Sequence, residues 1–340
     1  MHIALDAMGG DHGPEELIAG ALLATQQADN IRVSLVGDEA LLQSHIKTAA
    51  PDFPTVSRIQ IVHSSQVVEM RDNPVDAIRR KKDSSIMVAF GLVAAGGADA
   101  VVSAGNSGAT LAAAVRKVGR IKGVSRPGIA SFFPTLKKPV VIMDIGANVE
   151  CRPQHLLQFG VMASAFARLH GTRTPRVGLL TIGEESGKGN SLVKETYDLL
   201  EESSLNFIGN VEGRDVYRGD VDVIVCDGFV GNICLKISEG LVDAAMRMLG
   251  DEIVKSWRYK LGYLLAKPAF RAFKRRVDYS EYGGAPLLGV DGTGIVCHGK
   301  SNAITIKNAI LEAERMVQKN VNREIQNRIA AEAAVAQVEE

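Results

Sequence analysis

The sequence predicts an α/β fold, a mainly parallel sheet with helices covering both faces. Three observations predict it. Short apolar runs recur along the chain, they are too continuous to belong to half-exposed strands, and most lead through a polar, glycine-containing loop into a helix-length stretch.

Residues 3–5 form the first strand, which Asp6 closes ahead of the loop Ala7-Met8-Gly9-Gly10-Asp11-His12-Gly13. Pro14, with Glu15 and Glu16 behind it, then opens a helix to about residue 24. Residues 31–36 repeat the plan, Gly37-Asp38 turns into a helix over 39–49, and 59–62 form a third strand. A polar connection at 69–74 leads into a helix carrying Arg79-Arg80-Lys81-Lys82, and a further helix over 84–95 stops at Gly96-Gly97. The strand 98–102 delivers Ser103-Ala104-Gly105-Asn106-Ser107-Gly108, where an alanine-rich helix begins.

Strands at 140–143, 177–182 and 221–226 each deliver a loop of the same kind. The first is Asp144-Ile145-Gly146-Ala147-Asn148, the second runs from Gly183 through Gly187-Lys188-Gly189-Asn190, and the third is Asp227-Gly228-Phe229-Val230-Gly231-Asn232. Helices to about residues 202 and 249 follow the last two. Residues 295–297 form a last strand, and His298-Gly299-Lys300-Ser301-Asn302 caps a long amphipathic helix. No low-complexity linker marks a boundary, so residues 1–330 are read as one α/β catalytic domain, in one body or two lobes, with 331–340 as a flexible tail.

Composition removes several function classes. With 46% hydrophobic residues in 340, the chain can bury a large core, and 39 basic residues against 39 acidic ones give no net field that would draw nucleic acid. Cys151, Cys226, Cys234 and Cys297 form no C-x-x-C pair and no set with histidine at metal-ligand spacing, so no metal is expected and a reducing cytosol is. The N-terminus has no leader pattern and no apolar run approaches bilayer length, which makes cytoplasm the expected location.

The charge is uneven in one place. No acid lies between Glu252 and Asp278, while Trp257, Leu261, Leu264 and Leu265 recur at helical spacing among Lys255, Arg258, Lys260, Lys267, Arg271 and Lys274. Pro268 is expected to break the helix, giving a basic amphipathic hairpin inserted within 250–278. Such a segment suits an anionic membrane surface or an acidic protein partner.

In parallel sheets the loops leaving the carboxyl ends of the strands line one crevice. The candidate binding residues are therefore Asp6, Gly9, Gly10, Ser103, Gly105, Asn106, Ser107, Gly108, Asp144, Asn148, Gly187, Asp227, Gly231 and His298, with Lys188 and Asn232 as the catalytic candidates. Glycines at these turns leave backbone N–H groups open to an anion, most plausibly phosphate. Lys188 is the most distinctive, but its loop departs from the nucleotide P-loop: Gly183 and Gly187 have three residues between them, and Gly189 stands where a metal-binding hydroxyl belongs. The spacing Gly105-Asn106-Ser107-Gly108 likewise misses the dinucleotide pattern. Asn106, Asn148 and Asn232 can offer amide N–H groups to an oxyanion or serve as helix caps, and Asp6, Asp144 and Asp227 can fix loops or act as bases. His12 and His298 are the histidines of these loops. No G-x-S-x-G elbow and no activated cysteine is evident, which leaves an anion site suited to a reaction in which phosphate itself attacks.

Taken together, Leu5-Asp6-Ala7-Met8-Gly9-Gly10-Asp11, Ser103-Ala104-Gly105-Asn106-Ser107-Gly108-Ala109, Asp144-Ile145-Gly146-Ala147-Asn148, Asp227-Gly228-Phe229-Val230-Gly231-Asn232 and Tyr282-Gly283-Gly284-Ala285 closely resemble the bacterial PlsX phosphate acyltransferases, from residue 1 to about 323. Ser107 and Lys300 depart from the family pattern, which more often has threonine and serine there. The resemblance implies a Rossmann-like fold akin to phosphotransacetylases and isocitrate dehydrogenases, and a homodimer. It also implies phosphorolysis of long-chain acyl carrier protein (acyl-ACP) to acyl phosphate and free ACP, without a cofactor, feeding glycerol-3-phosphate acylation beside the membrane acyltransferase. Lys188 and Asn232 fall at the family's Gly-Lys-Gly-Asn and Asp-Gly-Phe-x-Gly-Asn positions. A phosphotransacetylase using acyl-CoA, an NAD-dependent dehydrogenase and a non-catalytic phosphate-binding scaffold are the competing expectations.

Overall fold

The computed structural model describes residues 1–49, 57–277 and 283–338; Tyr282 of the last family motif lies outside them. The first half alternates regularly: β1 (His2–Asp6), α1 (Pro14–Gln27), β2 (Arg32–Gly37), α2 (Glu39–Ala49), β3 (Ile59–His63), α3 (Pro74–Arg80), α4 (Ser85–Ala94), β4 (Ala100–Ser103) and α5 (Ser107–Lys117). The second half holds β5 (Gly128–Phe133), β6 (Val140–Met143), α6 (Pro153–Leu169), β7 (Arg176–Leu180), α7 (Ser191–Glu201), β8 (Asn206–Val211) and β9 (Val223–Val225). Two long helices, α8 (Gly228–Val254) and α9 (Trp257–Val277), follow. The chain then returns through β10 (Ala285–Leu288), β11 (Thr293–Val296), α10 (Ala303–Gln318) and α11 (Val321–Val338). The last helix continues past residue 330, where fraying was expected.

One sheet runs β3-β2-β1-β4-β11-β10-β5-β6-β9-β7-β8. β1 to β4 and β11 are parallel to one another, and β6, β7, β8 and β9 form a second parallel set. Between the sets stand β10 and β5, and the pairs β11–β10, β10–β5 and β5–β6 are all antiparallel. The sheet is thus mainly parallel, as expected, but its two halves run in opposite directions along it. Their strand ends do not share one edge by the simple rule for parallel sheets. Neighbouring strands in sheets are on average rotated by about 20–25°, a twist that turns the two halves further relative to each other.

Side chains alternate between two cores. On β1, Ile3 and Leu5 face the core completed by Leu17, Ile18, Phe159, Phe166, Ile306 and Ile310, while Ala4 faces the one containing Ile86, Phe90, Val101 and Ala113. Helices α1, α6, α10 and α11 cover the first face, and α4 and α5 the second.

The inserted hairpin differs from expectation. α8 and α9 are its two arms, they pack against each other, and the turn lies at Lys255-Ser256, so the hairpin begins at residue 228 rather than 250. Pro268 sits inside α9 without ending it. A proline deprives one preceding carbonyl of its partner. Because α9 has no buried residue, water can satisfy that carbonyl, and the helix continues.

Candidate active site

The first group of loops surrounds Asp6. Its carboxylate is buried and accepts from the Ser103 hydroxyl at 2.7 Å and the Met8 N–H at 3.3 Å, while the Ser103 oxygen accepts the Gly105 N–H at 3.1 Å. Burial raises the Asp6 pKa, and hydrogen bonds from Ser85, Ser103, Met8 and Gly9 pull it back. A methyl group at Gly9 would lie 2.6 Å from the Gly105 nitrogen, so only glycine lets these two loops touch. Next to Gly10, the Asp11 N–H donates to Gly299 O at 2.7 Å, and Cys297 N–H donates to Ser103 O at 2.7 Å. The loops after β1, β4 and β11 therefore form one unit, with Asp6 as its internal brace.

Asn106 caps α5 through Ala109 N–H at 3.0 Å, and its amide donates to Met70 O and Asp72 O at 3.1 and 3.2 Å. Its N–H groups are occupied by the 69–73 loop. Ser107 stands exposed at the first position of α5, and Gly108 packs beside Pro74.

The second group surrounds Asp144, which is fully buried. Its carboxylate accepts from the backbone of Ile129, Gly146, Ala147 and Asn148 at 3.2, 3.2, 3.0 and 2.6 Å, and from the Asn148 amide at 2.9 Å. Burial raises its pKa and these donors lower it. The Asn148 amide also reaches Pro127 O at 2.8 Å, so Asn148 braces the loop as Asn106 braces its own. Asp227 caps α8 through Val230 N–H at 2.8 Å. A methyl at Gly231 would lie 1.9 Å from Asp144 O, which forbids any side chain there.

Of the three asparagines, Asn232 alone has no side-chain hydrogen bond among the described residues. It is exposed in the first turns of α8, beside Gly146. Lys188 is likewise exposed, without an ion pair among the described residues, its loop braced by Lys188 N–H to Glu185 O at 3.0 Å. Gly187 beside it has open space on its Cα. β7 and β9 are adjacent strands, so Lys188 and Asn232 leave the sheet from neighbouring positions.

His298 links the groups. Its Nδ1 accepts the Lys300 N–H at 3.2 Å, which places the ring proton on Nε2. Desolvation, then Lys236, holds its pKa below the ordinary value, against the pull of Glu239 and Asp11. Asp11 belongs to the loop after β1, whereas Lys236 and Glu239, paired at 2.8 Å, belong to α8. It is α8, starting among the second group and passing His298 in the first, that brings the two together.

No cysteine is primed to attack. Burial pushes Cys151 up to about 11 and Cys297 up to about 12, and it raises Cys226 and Cys234 as well. Among the described residues, no three His, Cys, Asp or Glu side chains group to hold a metal ion. None of the helices there is long and apolar enough to cross a membrane.

A family model described as fatty acid synthesis protein matches residues 1–324. The phosphate acyltransferase of Nitratidesulfovibrio vulgaris strain DP4 is 51% identical over 331 residues, 97% of this chain and 95% of the relative. That of Pelotomaculum thermopropionicum is 50% identical over 330 residues, again 97% and 95%. The chain belongs to the phosphate acyltransferase family. It is an acyltransferase of fatty acid synthesis. The fold is shared with EutD phosphotransacetylase from Staphylococcus aureus, at a TM-score of 0.60 and 21% identity over 93% of this chain and 94% of that one. A phosphotransacetylase from Streptococcus pyogenes gives 0.62 and 17% over 94% of both.

Lys236 and Glu239 are not among the residues that the sequence analysis names for the site. The signal was available, because Lys236 follows Asn232 by four residues and so shares its face of α8. The hairpin candidates are all on α9 or its turn. Trp257 is 70% exposed with the Arg258 guanidinium 5.6 Å from its ring, Leu264 and Leu265 are 62% and 78% exposed, and Leu261 and Arg271 are exposed too. Lys255 pairs with Glu252 at 2.5 Å.

Proposed function

We propose that the chain catalyses direct attack of inorganic phosphate on the thioester of a long-chain acyl-ACP. A phosphate oxygen bonds to the carbonyl carbon, the carbon–sulfur bond breaks, and the ACP thiolate leaves and takes up a proton. The acyl phosphate then serves glycerol-3-phosphate acylation. The observation that carries this reading is that Lys188 and Asn232 leave adjacent strands with their side chains unbonded among the described residues, while all four cysteines have raised pKa values, so the site offers positioning without a covalent nucleophile. In this reading Lys188 holds phosphate, and Asn232 donates to the thioester oxygen as it becomes an oxyanion. His298, with its proton on Nε2, adds a further donor beside Lys236, one turn along α8 from Asn232. The basic α9, which has no buried residue, supports docking of acidic ACP or of an anionic membrane surface, and so a cytoplasmic enzyme peripherally attached to the membrane, in contact there with the membrane glycerol-3-phosphate acyltransferase. The working unit is a homodimer.

Mixing the purified protein with palmitoyl-ACP and phosphate, and trapping acyl phosphate with hydroxylamine, tests the reaction. Phosphate-dependent hydroxamate is expected, and a kinetically competent acyl-cysteine found by mass spectrometry would overturn direct attack. The fold shared with phosphotransacetylases favours a second reading, acyl-CoA as donor. The same assay with palmitoyl-CoA separates the two.

A further inference from the structure

Beside His298 a cavity of about 580 Å³ opens between α8, the end of β5 and the end of α9. That volume is within the range of small-molecule pockets. Its mouth is polar, formed by His298, Lys300 and Glu239. Its walls are largely apolar: Phe133 and Pro134 on one side, and Leu235, Val242 and Met246 on the other. Of the polar groups along the walls, Tyr217 bonds to Ser238 and the Ser238 hydroxyl donates to Cys234 O at 2.6 Å, while the exposed Asp243 carboxylate stands at the rim in water. Arg247 and Lys274 at the far end have long stems that can line apolar surface while their charges stay in water.

The groove has a direction and an end. Leu235, Val242 and Met246 lie on one face of α8, and Asn232 is one turn before Leu235 on that face. From Leu235 to Met246 the helix advances about 16 Å. Beyond Met246 the groove meets Val277. There Arg276 donates to Thr135 O at 3.1 Å and Leu136 O at 2.5 Å, tying the end of α9 to the turn after β5. A slot with hydrogen-bond donors at one end, an apolar bore and a tied-off far end fits a linear alkyl chain carrying one polar head.

We infer that this groove holds the acyl chain of the thioester, methyl end toward Met246, and that Met246 sets the chain length accepted. The inference rests on the acyl-transfer reading above. Met246 is half-buried on a helix whose buried residues are Gly228 and Gly231, so changing it leaves both cores intact.

The test uses the full-length protein and its Met246→Trp and Met246→Ala variants, with kcat/KM measured by hydroxylamine trapping on decanoyl-, palmitoyl- and stearoyl-ACP. One methylene in an apolar pocket changes discrimination by roughly tenfold or more. Met246→Trp is therefore expected to lower the palmitoyl-to-decanoyl ratio by at least about tenfold, and Met246→Ala to raise the stearoyl-to-palmitoyl ratio. Opposite shifts from the two variants cannot come from misfolding. A wild-type enzyme that works, with both variants keeping its ratios even at lower rates, overturns the groove assignment alone. Unchanged ratios with altered sedimentation overturn it in favour of a second copy of the chain as occupant. No acyl phosphate from the wild type with any acyl-ACP or acyl-CoA sinks the acyl-transfer reading and the groove together.

Discussion

Asn232 and Lys188 differ from the other polar loop residues in what they leave unbonded. Asp6, Asp144, Asn106 and Asn148 use their polar atoms on backbone and neighbouring side chains, so removing any of them disturbs loop geometry before it touches chemistry. Losing a preorganised donor costs about 2.7–4 kcal/mol in the transition state, or roughly a hundred- to thousandfold in turnover. Lys188→Ala and Asn232→Ala are therefore expected to keep wild-type circular dichroism and lose about that much activity. Wild-type turnover in folded Lys188→Ala would remove the residue from the site. Asp6 carries a prediction about pH. Its folded pKa is raised, so its protonated form is favoured in the fold, its contribution to stability is full below the unfolded value of about 3.9, and that contribution falls as pH rises through the folded pKa. Urea midpoints measured upward from about pH 4 should show the wild type losing ground relative to Asp6→Asn, which has no proton to lose. A constant difference between the two across that range would contradict it.

At the scale of elements, α9 is a helix without a buried face. Its apolar residues at 257, 261, 264 and 265 and its unbroken basic character are what an interfacial helix requires, with each basic residue near an anionic leaflet contributing about 1 kcal/mol. Changing Leu264 and Leu265 together to glutamate should leave the melting temperature unchanged, because both are exposed, and should abolish flotation with anionic liposomes. Parallel measurement of ACP affinity separates lipid from carrier protein as the partner. Unchanged behaviour in both assays would make α9 purely structural.

The whole molecule presents a second apolar surface on α8, where Ile237, Leu241 and Met248 are 64%, 65% and 68% exposed. They lie on a different face from Leu235, Val242 and Met246, and the proposed homodimer is expected to bury this patch against its copy. Sedimentation should give twice the chain mass, and Ile237→Glu with Leu241→Glu should give the monomer. A monomeric wild type would rule out this surface as a dimer contact.

The sequence by itself determined the strand–loop–helix alternation of the first half and the chemistry of the loops, because apolar continuity, helix caps and turn glycines act over a few residues. Asn106, Asp227 and Asn302 cap helices where their positions say they should. It did not disclose β10, where Pro286 argues against a strand, or β8, whose ladder with β7 is irregular. It did not show that β11 pairs with β4 while β10 and β5 reverse the sheet, since partners far apart in sequence are chosen by the packing of the whole core. Tertiary structure alone decided which asparagine keeps its amide free. Asn106 and Asn148 meet carbonyls of distant segments, at Met70 and Pro127, and Asn232 meets none among the described residues. It also decided that Pro268 stays within a helix, because a helix with no buried residue can leave one carbonyl to the solvent.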